Sequence, residues 1–154
     1  MLLSKRPIRS LMAAAIALAA LPAMAGESAF NSTVFFGDSL TDSGYYRPLL
    51  PADARPVAGQ FTTNPGWVWA QFVADYYGTN ATPNGLGQSG DNYAVGGARV
   101  GTDLTQPAFG NVPVPSLKTQ FANYLAANGG KADPNALYTV WGGANDLFSI
   151  TAPA

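Results

Sequence analysis

A serine that closes a short apolar run can act as a nucleophile when the turn after it exposes the hydroxyl. Ser39 is so placed: Thr33-Val34-Phe35-Phe36 is β-branched and aromatic, and Gly37-Asp38-Ser39-Leu40-Thr41-Asp42-Ser43-Gly44 follows directly. Gly37 lets the chain bend there without a Cβ clash. Taken alone, the segment reads better as Asp38 and Ser39 forming a turn that caps the next helix. Two further segments alter that balance. Gly97 ends a second apolar run and could present a backbone N–H to an anion, and Asn145 follows a third and carries a carboxamide donor. A serine oxygen, a glycine N–H and an asparagine side chain converging on one point would make an acyl-transfer site, in which the serine attacks a carbonyl and the donors stabilise the oxyanion. The plainer alternatives are a close-packed turn at Gly97 and a helix N-cap at Asn145.

The elements that must position these residues alternate between two periodicities. Strands are expected at 33–36, 92–95 and 136–141, each closed by glycine. Trp69, Phe72, Val73 and Tyr76 fall at i, i+3, i+4, i+7 and predict one apolar helix face, with Asn64 as N-cap and Pro65 at the first helical position. Leu117, Phe121, Tyr124 and Leu125 predict a second helix, stopped by Gly129-Gly130. The stretches 48–63 and 79–90 and the Pro-rich connection to Pro115 read as loop. Strand, helix, strand, helix, strand implies an α/β fold with a parallel sheet, whose ligands bind beyond the carboxyl ends of the strands.

Composition removes other chemistries. The 154 residues contain no Cys and no His, which excludes a cysteine nucleophile, a disulfide framework, thiolate or histidine metal sites and an imidazole base within this chain. Residues 1–25 have the layout of a secretory signal peptide: Lys5, Arg6 and Arg9, eleven apolar residues from Leu11 to Leu21, Pro22, then the cleavage pattern Ala23-Met24-Ala25. The apolar run would span about 16 Å as a helix, roughly half of a bilayer core. Removing 25 of the 154 residues leaves 129, with 5 Lys+Arg facing 9 Asp+Glu. Such an acidic chain has no basic patch for phosphates, and nucleic-acid binding is not expected.

Three segments together resemble the sequence blocks of the GDSL or SGNH serine hydrolases. They are Phe35-Phe36-Gly37-Asp38-Ser39-Leu40-Thr41-Asp42-Ser43-Gly44, Asn92-Tyr93-Ala94-Val95-Gly96-Gly97-Ala98, and Gly142-Gly143-Ala144-Asn145-Asp146, in the family's order and each after a predicted strand. Phe61-Thr62-Thr63-Asn64-Pro65-Gly66-Trp67-Val68-Trp69 is similar to the longer lipase/esterase branch, which includes autotransporter esterases. The resemblance implies a flavodoxin-like three-layer α/β/α sandwich over residues 26–154. It implies Ser39 as nucleophile and backbone oxyanion donor, Gly97 and Asn145 as further donors, and Asp38 as a brace of the turn. It implies a small-molecule or lipid ester as substrate and no cofactor or metal. The family's fourth block, Asp-x-x-His, is missing, and three strands are legible where a sheet of this type normally has about five. The expectation is an N-terminal portion of a longer hydrolase, inactive alone, with an exposed sheet edge and marginal solubility. Asp42 as an internal substitute base is not favoured, since nothing in the sequence brings it to Ser39.

Other constellations carry less. Gly96-Gly97-Ala98-Arg99-Val100-Gly101 is a near miss to a dinucleotide fingerprint, and the spacing of Asp38, Asp42, Asp91 and Asp103 fits no EF-hand loop. Asn31-Ser32-Thr33 and Asn80-Ala81-Thr82 are glycosylation sequons, informative only in a host that glycosylates. The alternative to an ester hydrolase is a catalytically silent exported module binding acyl or glycan ligands on the same scaffold. The export signal leads to the periplasm, the outer-membrane surface or the medium, with a C-terminal translocator as the one expected link to a membrane.

Overall fold

The run at 33–36 is buried on both faces, with Thr33, Val34, Phe35 and Phe36 each at most 3% exposed. A strand apolar on both faces belongs in the middle of a parallel sheet. In the computed structural model, which describes residues 29–62 and 65–151, β1 (Ser32–Gly37) holds that place. On one side it pairs in parallel with β6 (Ala136–Trp141), in register from Ser32↔Ala136 to Gly37↔Trp141. On the other runs Asn92–Val95. The Phe35 N–H donates to the Asp91 carbonyl (3.0 Å), and the Tyr93 and Val95 N–H groups donate to the Phe35 and Gly37 carbonyls (2.8 and 3.1 Å).

Alternation of side chains along β1 divides the core. Phe35 faces α1 (Trp69–Tyr76) through Val68, Ala70, Ala74 and Ala81. Val34 and Phe36 face α2 (Leu117–Ala127) through Tyr93, Tyr124 and Ala136. A helix on each face of a parallel sheet is the expected α/β arrangement. β6 pairs with β1 alone among the described residues, and near its end Val140 and Trp141 are more than half exposed. The short helix α3 (Ala144–Thr151) follows, with Leu147, Phe148 and Ile150 exposed. No helix among the described residues is long and apolar enough to cross a membrane.

Several expectations need correction. Helix α1 begins at Trp69 with Val68 as its N-cap, so Pro65 is not the first helical residue. Asn64 lies outside the described residues, as does the predicted signal peptide at 1–25. The predicted stripe is also wrong in part, because Ala70 and Ala74 face the sheet while Phe72 and Tyr76 are 60% and 82% exposed. Small residues let the helix approach Phe35 closely. Phe72 lies about 200° around the helix from Ala70, so it cannot share that face. On α2 the buried face is Leu117, Gln120 and Tyr124, with Phe121 and Leu125 partly exposed. Two stretches read as loop contain hairpins: β2 (Asn84–Gly85) with β3 (Gln88–Ser89), and β4 (Leu104–Gln106) with β5 (Val112–Val114). The β4–β5 hairpin packs Val114, Leu104 and Val112 with Tyr45, Tyr46, Val95 and Leu117 beside the sheet's carboxyl end.

Candidate active site

The carboxyl ends of β1, of 92–95 and of β6 lie side by side. At the first, the Asp38 N–H donates to the Trp141 carbonyl (3.2 Å), and the Asp38 carbonyl then accepts from both the Thr41 and Asp42 N–H groups (3.0 Å each). This single tight turn buries Asp38, Thr41 and Asp42 and turns Ser39 and Leu40 outward, Ser39 half-buried and Leu40 49% exposed. Asp38 braces the turn, its Oδ1 accepting from the Leu40 N–H (3.0 Å), while its buried Oδ2 has no partner among the described residues. The Ser39 N–H and Oγ are likewise without a hydrogen-bond partner among the described residues.

The second predicted strand, 92–95, is an extended segment bridged to β1 only at Asn92, by an isolated bridge to Phe35. Beyond it the Ala98 N–H donates to the Val95 carbonyl (3.0 Å), closing a four-residue turn. Its third residue, Gly97, has φ +87°, the position a type II turn reserves for glycine. The Gly97 N–H has no partner among the described residues, and a Cβ there would meet nothing closer than Val114 Cγ1 at 3.9 Å. Beyond the third strand, Asn145 sits within the first turn of α3 and is not its N-cap. Its Nδ2 donates to the Ala98 carbonyl (2.9 Å), which uses one of its two N–H bonds. The next residue, Asp146, accepts from the Val100 N–H through both oxygens (3.0 and 3.3 Å).

Asp42 joins the first turn to the second. It is fully buried, and its Oδ1 accepts from the Gly44 and Tyr45 N–H groups (2.8 and 2.6 Å) while Oδ2 accepts from the Gly96 N–H (2.9 Å). Burial pushes this carboxyl up to about 6, against the opposing pull of those three N–H donors and of Arg47. Both oxygens are thus engaged with backbone and neither bonds Ser39, so Asp42 is a brace. Asn92, also fully buried, spans the same gap. Its Nδ2 donates to the Thr41 carbonyl (2.8 Å) and to Ser43 Oγ (2.9 Å), and its Oδ1 accepts from the Ala94 N–H (3.1 Å). A third buried amide, Gln120, accepts from the Gly37 N–H (2.9 Å) and donates to the Gly37 and Pro115 carbonyls (2.9 and 3.1 Å).

A continuous set of bonds therefore runs from the Ser39 turn through Asp42 to Gly96, across Gly97 to Ala98, and on to Asn145. Sequence reasoning missed the structural parts played by Asn92 and Gln120, whereas Asp42 holds a turn as expected and does not bond Ser39. One signal was available: Gln120 is a polar residue three positions after Leu117 and four before Tyr124, on the predicted apolar face. The near-fingerprint at 96–101 is this turn. Asp103 has a capping part, holding the Ser116 N–H (2.7 Å) and the Thr119 hydroxyl (2.9 Å) at the start of α2.

Residues 33–154 match the family model described as GDSL-like Lipase/Acylhydrolase, across all three of these segments. The chain belongs to the GDSL-like lipase/acylhydrolase family. It is 30% identical over 174 aligned residues to an uncharacterized protein of the trpE-trpG intergenic region of Pseudomonas putida, covering 97% of this chain and 28% of that protein. To Lipase 1 of Photorhabdus luminescens it is 28% identical over 127 residues, covering 82% of this chain and 17% of the lipase. To esterase EstA of Pseudomonas aeruginosa it is 31% identical over 153 residues, covering 80% of this chain and 23% of the esterase. This GDSL chain thus spans less than a third of the length of these relatives.

Proposed function

We propose that this chain carries the nucleophile and oxyanion-binding half of an exported serine ester hydrolase of the carboxylesterase or lipase type. Ser39 Oγ attacks the ester carbonyl carbon, forming an acyl–Oγ bond. The alcohol leaves with the proton that Oγ gave up, and water then releases the acid from Ser39. The oxyanion of each tetrahedral intermediate is held by the Ser39 and Gly97 N–H groups and by the Asn145 carboxamide. One observation carries the reading: the Ser39 and Gly97 N–H groups are unpaired, at turns joined through Asp42. Names of relatives add to it, since two are called lipase and esterase. The proton acceptor is absent from the sequence, which has no histidine, so a base from outside these 154 residues completes the reaction.

The test supplies that base. The chain alone is expected to give negligible turnover of p-nitrophenyl acetate or butyrate. Free imidazole is expected to restore acylation that depends on Ser39, and Asn145→Ala is expected to lower it about 10²-fold. Equal rates for the wild type and Ser39→Ala in imidazole would remove Ser39 as nucleophile. Brisk Ser39-dependent turnover without imidazole would remove the need for an outside base. Export is read from residues 1–25, and N-terminal sequencing of the periplasmic form should begin at Gly26.

The missing histidine also favours a second reading, a silent exported module that binds acyl or glycan ligands. Its signature is saturable binding of a fatty acid or oligosaccharide with no acylation of Ser39 under any condition.

A further inference from the structure

Gln120 departs from the ladder between β1 and 92–95. At Phe35 the pairing is regular: its N–H reaches the Asp91 carbonyl and its carbonyl receives the Tyr93 N–H. A parallel ladder advances by two residues, so the next donor rung would run from the Gly37 N–H to the Tyr93 carbonyl. The Gly37 N–H goes instead to Gln120 Oε1 (2.9 Å), while Nε2 returns to the Gly37 carbonyl (2.9 Å), which still receives the Val95 N–H (3.1 Å). With Nε2 also on the Pro115 carbonyl (3.1 Å), both of its N–H bonds and its oxygen are used. A fully buried amide thus replaces one strand rung, and does so at the residue before Asp38 and Ser39. The replacement keeps the Gly37 N–H and carbonyl paired and leaves the Tyr93 carbonyl without a donor among the described residues. It also sets how closely the two strands approach where the site opens.

We propose that Gln120 is a positioning residue that fixes the spacing between the Ser39 turn and the Gly97 turn. Its effect on acylation rests on the hydrolase reading above, whereas its effect on the seam does not. Without the amide, the Gly37 N–H is free to seek the Tyr93 carbonyl, the strands draw together, and Gly97 moves relative to Ser39. A displacement of about 1 Å at a reacting centre costs about 10²-fold in rate.

The test compares Gln120→Met and Gln120→Glu with the wild type in the full chain. In Gln120→Met, amide exchange is expected to quicken at Ala98, which closes the Gly97 turn, and to stay unchanged in α1. Imidazole-assisted acylation of Ser39 should fall about 10²-fold at unchanged KM. Gln120→Glu should come closest to the wild type where its carboxyl is protonated, since a carboxylic acid still accepts from the Gly37 N–H and donates to the Gly37 carbonyl, losing only the bond to the Pro115 carbonyl. Activity should then be lost as that carboxyl ionises and faces the Gly37 and Pro115 carbonyls. The titratable groups nearby are Tyr45 and Tyr93, held above their ordinary values by burial, Asp103, held low by Ser116, and Asp42 and Asp91, both also raised by burial.

An acylation rate in Gln120→Met equal to that of the wild type would overturn the proposal, and so would superimposable pH profiles for Gln120→Glu and the wild type. Exchange quickened evenly through the sheet would mark a merely structural residue and overturn it too. If no form acylates, the hydrolase reading falls and the location of the exchange effect alone decides about the seam. If Gln120→Met does not fold, the Gln120→Glu profile decides.

Discussion

Asp42 gives the sharpest test of the braces beneath the site. Its carboxyl is fully buried and is pushed up to about 6 from an ordinary 3.8, because burial outweighs the three N–H donors and Arg47. An acid whose folded value is raised binds more protons folded than unfolded between those two values. Its contribution to stability is therefore fully present below about pH 4 and is lost as the pH rises through about 6. The shift is about two units, and at roughly 1.4 kcal/mol per unit it amounts to about 3 kcal/mol. Asp42→Asn removes the titration. Urea unfolding of both proteins in half-unit steps from about pH 4 to about pH 7.5 gives a difference curve in which the other carboxyls cancel. The wild type should gain about 3 kcal/mol on the variant as the pH falls across that range. The same substitution sets an amide N–H against the Gly96 N–H, so Gly96 exchange should quicken in the variant. A flat difference curve would refute the reasoning, and so would a wild type that loses ground in acid.

Three further outcomes follow from the same geometry. Gly97→Ala meets no steric obstacle, so its cost is the left-handed φ, about 1–2 kcal/mol by thermal unfolding, accompanied by slower acylation of Ser39. Gly37→Ala would bring a Cβ to 2.5 Å from the Trp141 carbonyl oxygen and 2.8 Å from Thr41 Oγ1. Backbone cannot yield locally, so a loss of about 1–3 kcal/mol is expected, with exchange quickened at the Asp38 amide that donates to Trp141. Val140→Lys places a charge at the end of the open β6 edge, where Val140 is 58% exposed; aggregation by light scattering should slow with the melting temperature unchanged.

Much of the fold was legible because its signals are local. The burial of 33–36 on both faces follows from an unbroken β-branched and aromatic run, and β6 falls where Ala136-Leu137-Tyr138-Thr139-Val140-Trp141 predicts it. The face of α1 was not legible. Periodicity groups Trp69, Phe72, Val73 and Tyr76, but two alanines permit the closer approach to Phe35, and closeness of packing is not written in hydrophobicity. The β2–β3 hairpin was hidden because its strands are two residues each and its turn places Leu86 at φ +50°. A segment that short has no periodicity to read.

The candidate site divides in the same way. Residue types and order pointed to the ends of three predicted strands, because glycine and small polar residues there are local features of the chain, and the family resemblance singled out Ser39, Gly97 and Asn145 among them. The missing histidine is also purely a matter of sequence, and it removes an imidazole base from these 154 residues. Tertiary structure decided which side chains hold those three segments together. Asp42 reaches Gly96 across 54 residues, Asn92 reaches Thr41 across 51, and Gln120 reaches Gly37 across 83. Each is a buried polar group whose partner is a backbone atom. Any residue offers the same N–H and C=O, so nothing in a partner's identity marks it, and only the folded chain brings the two into contact.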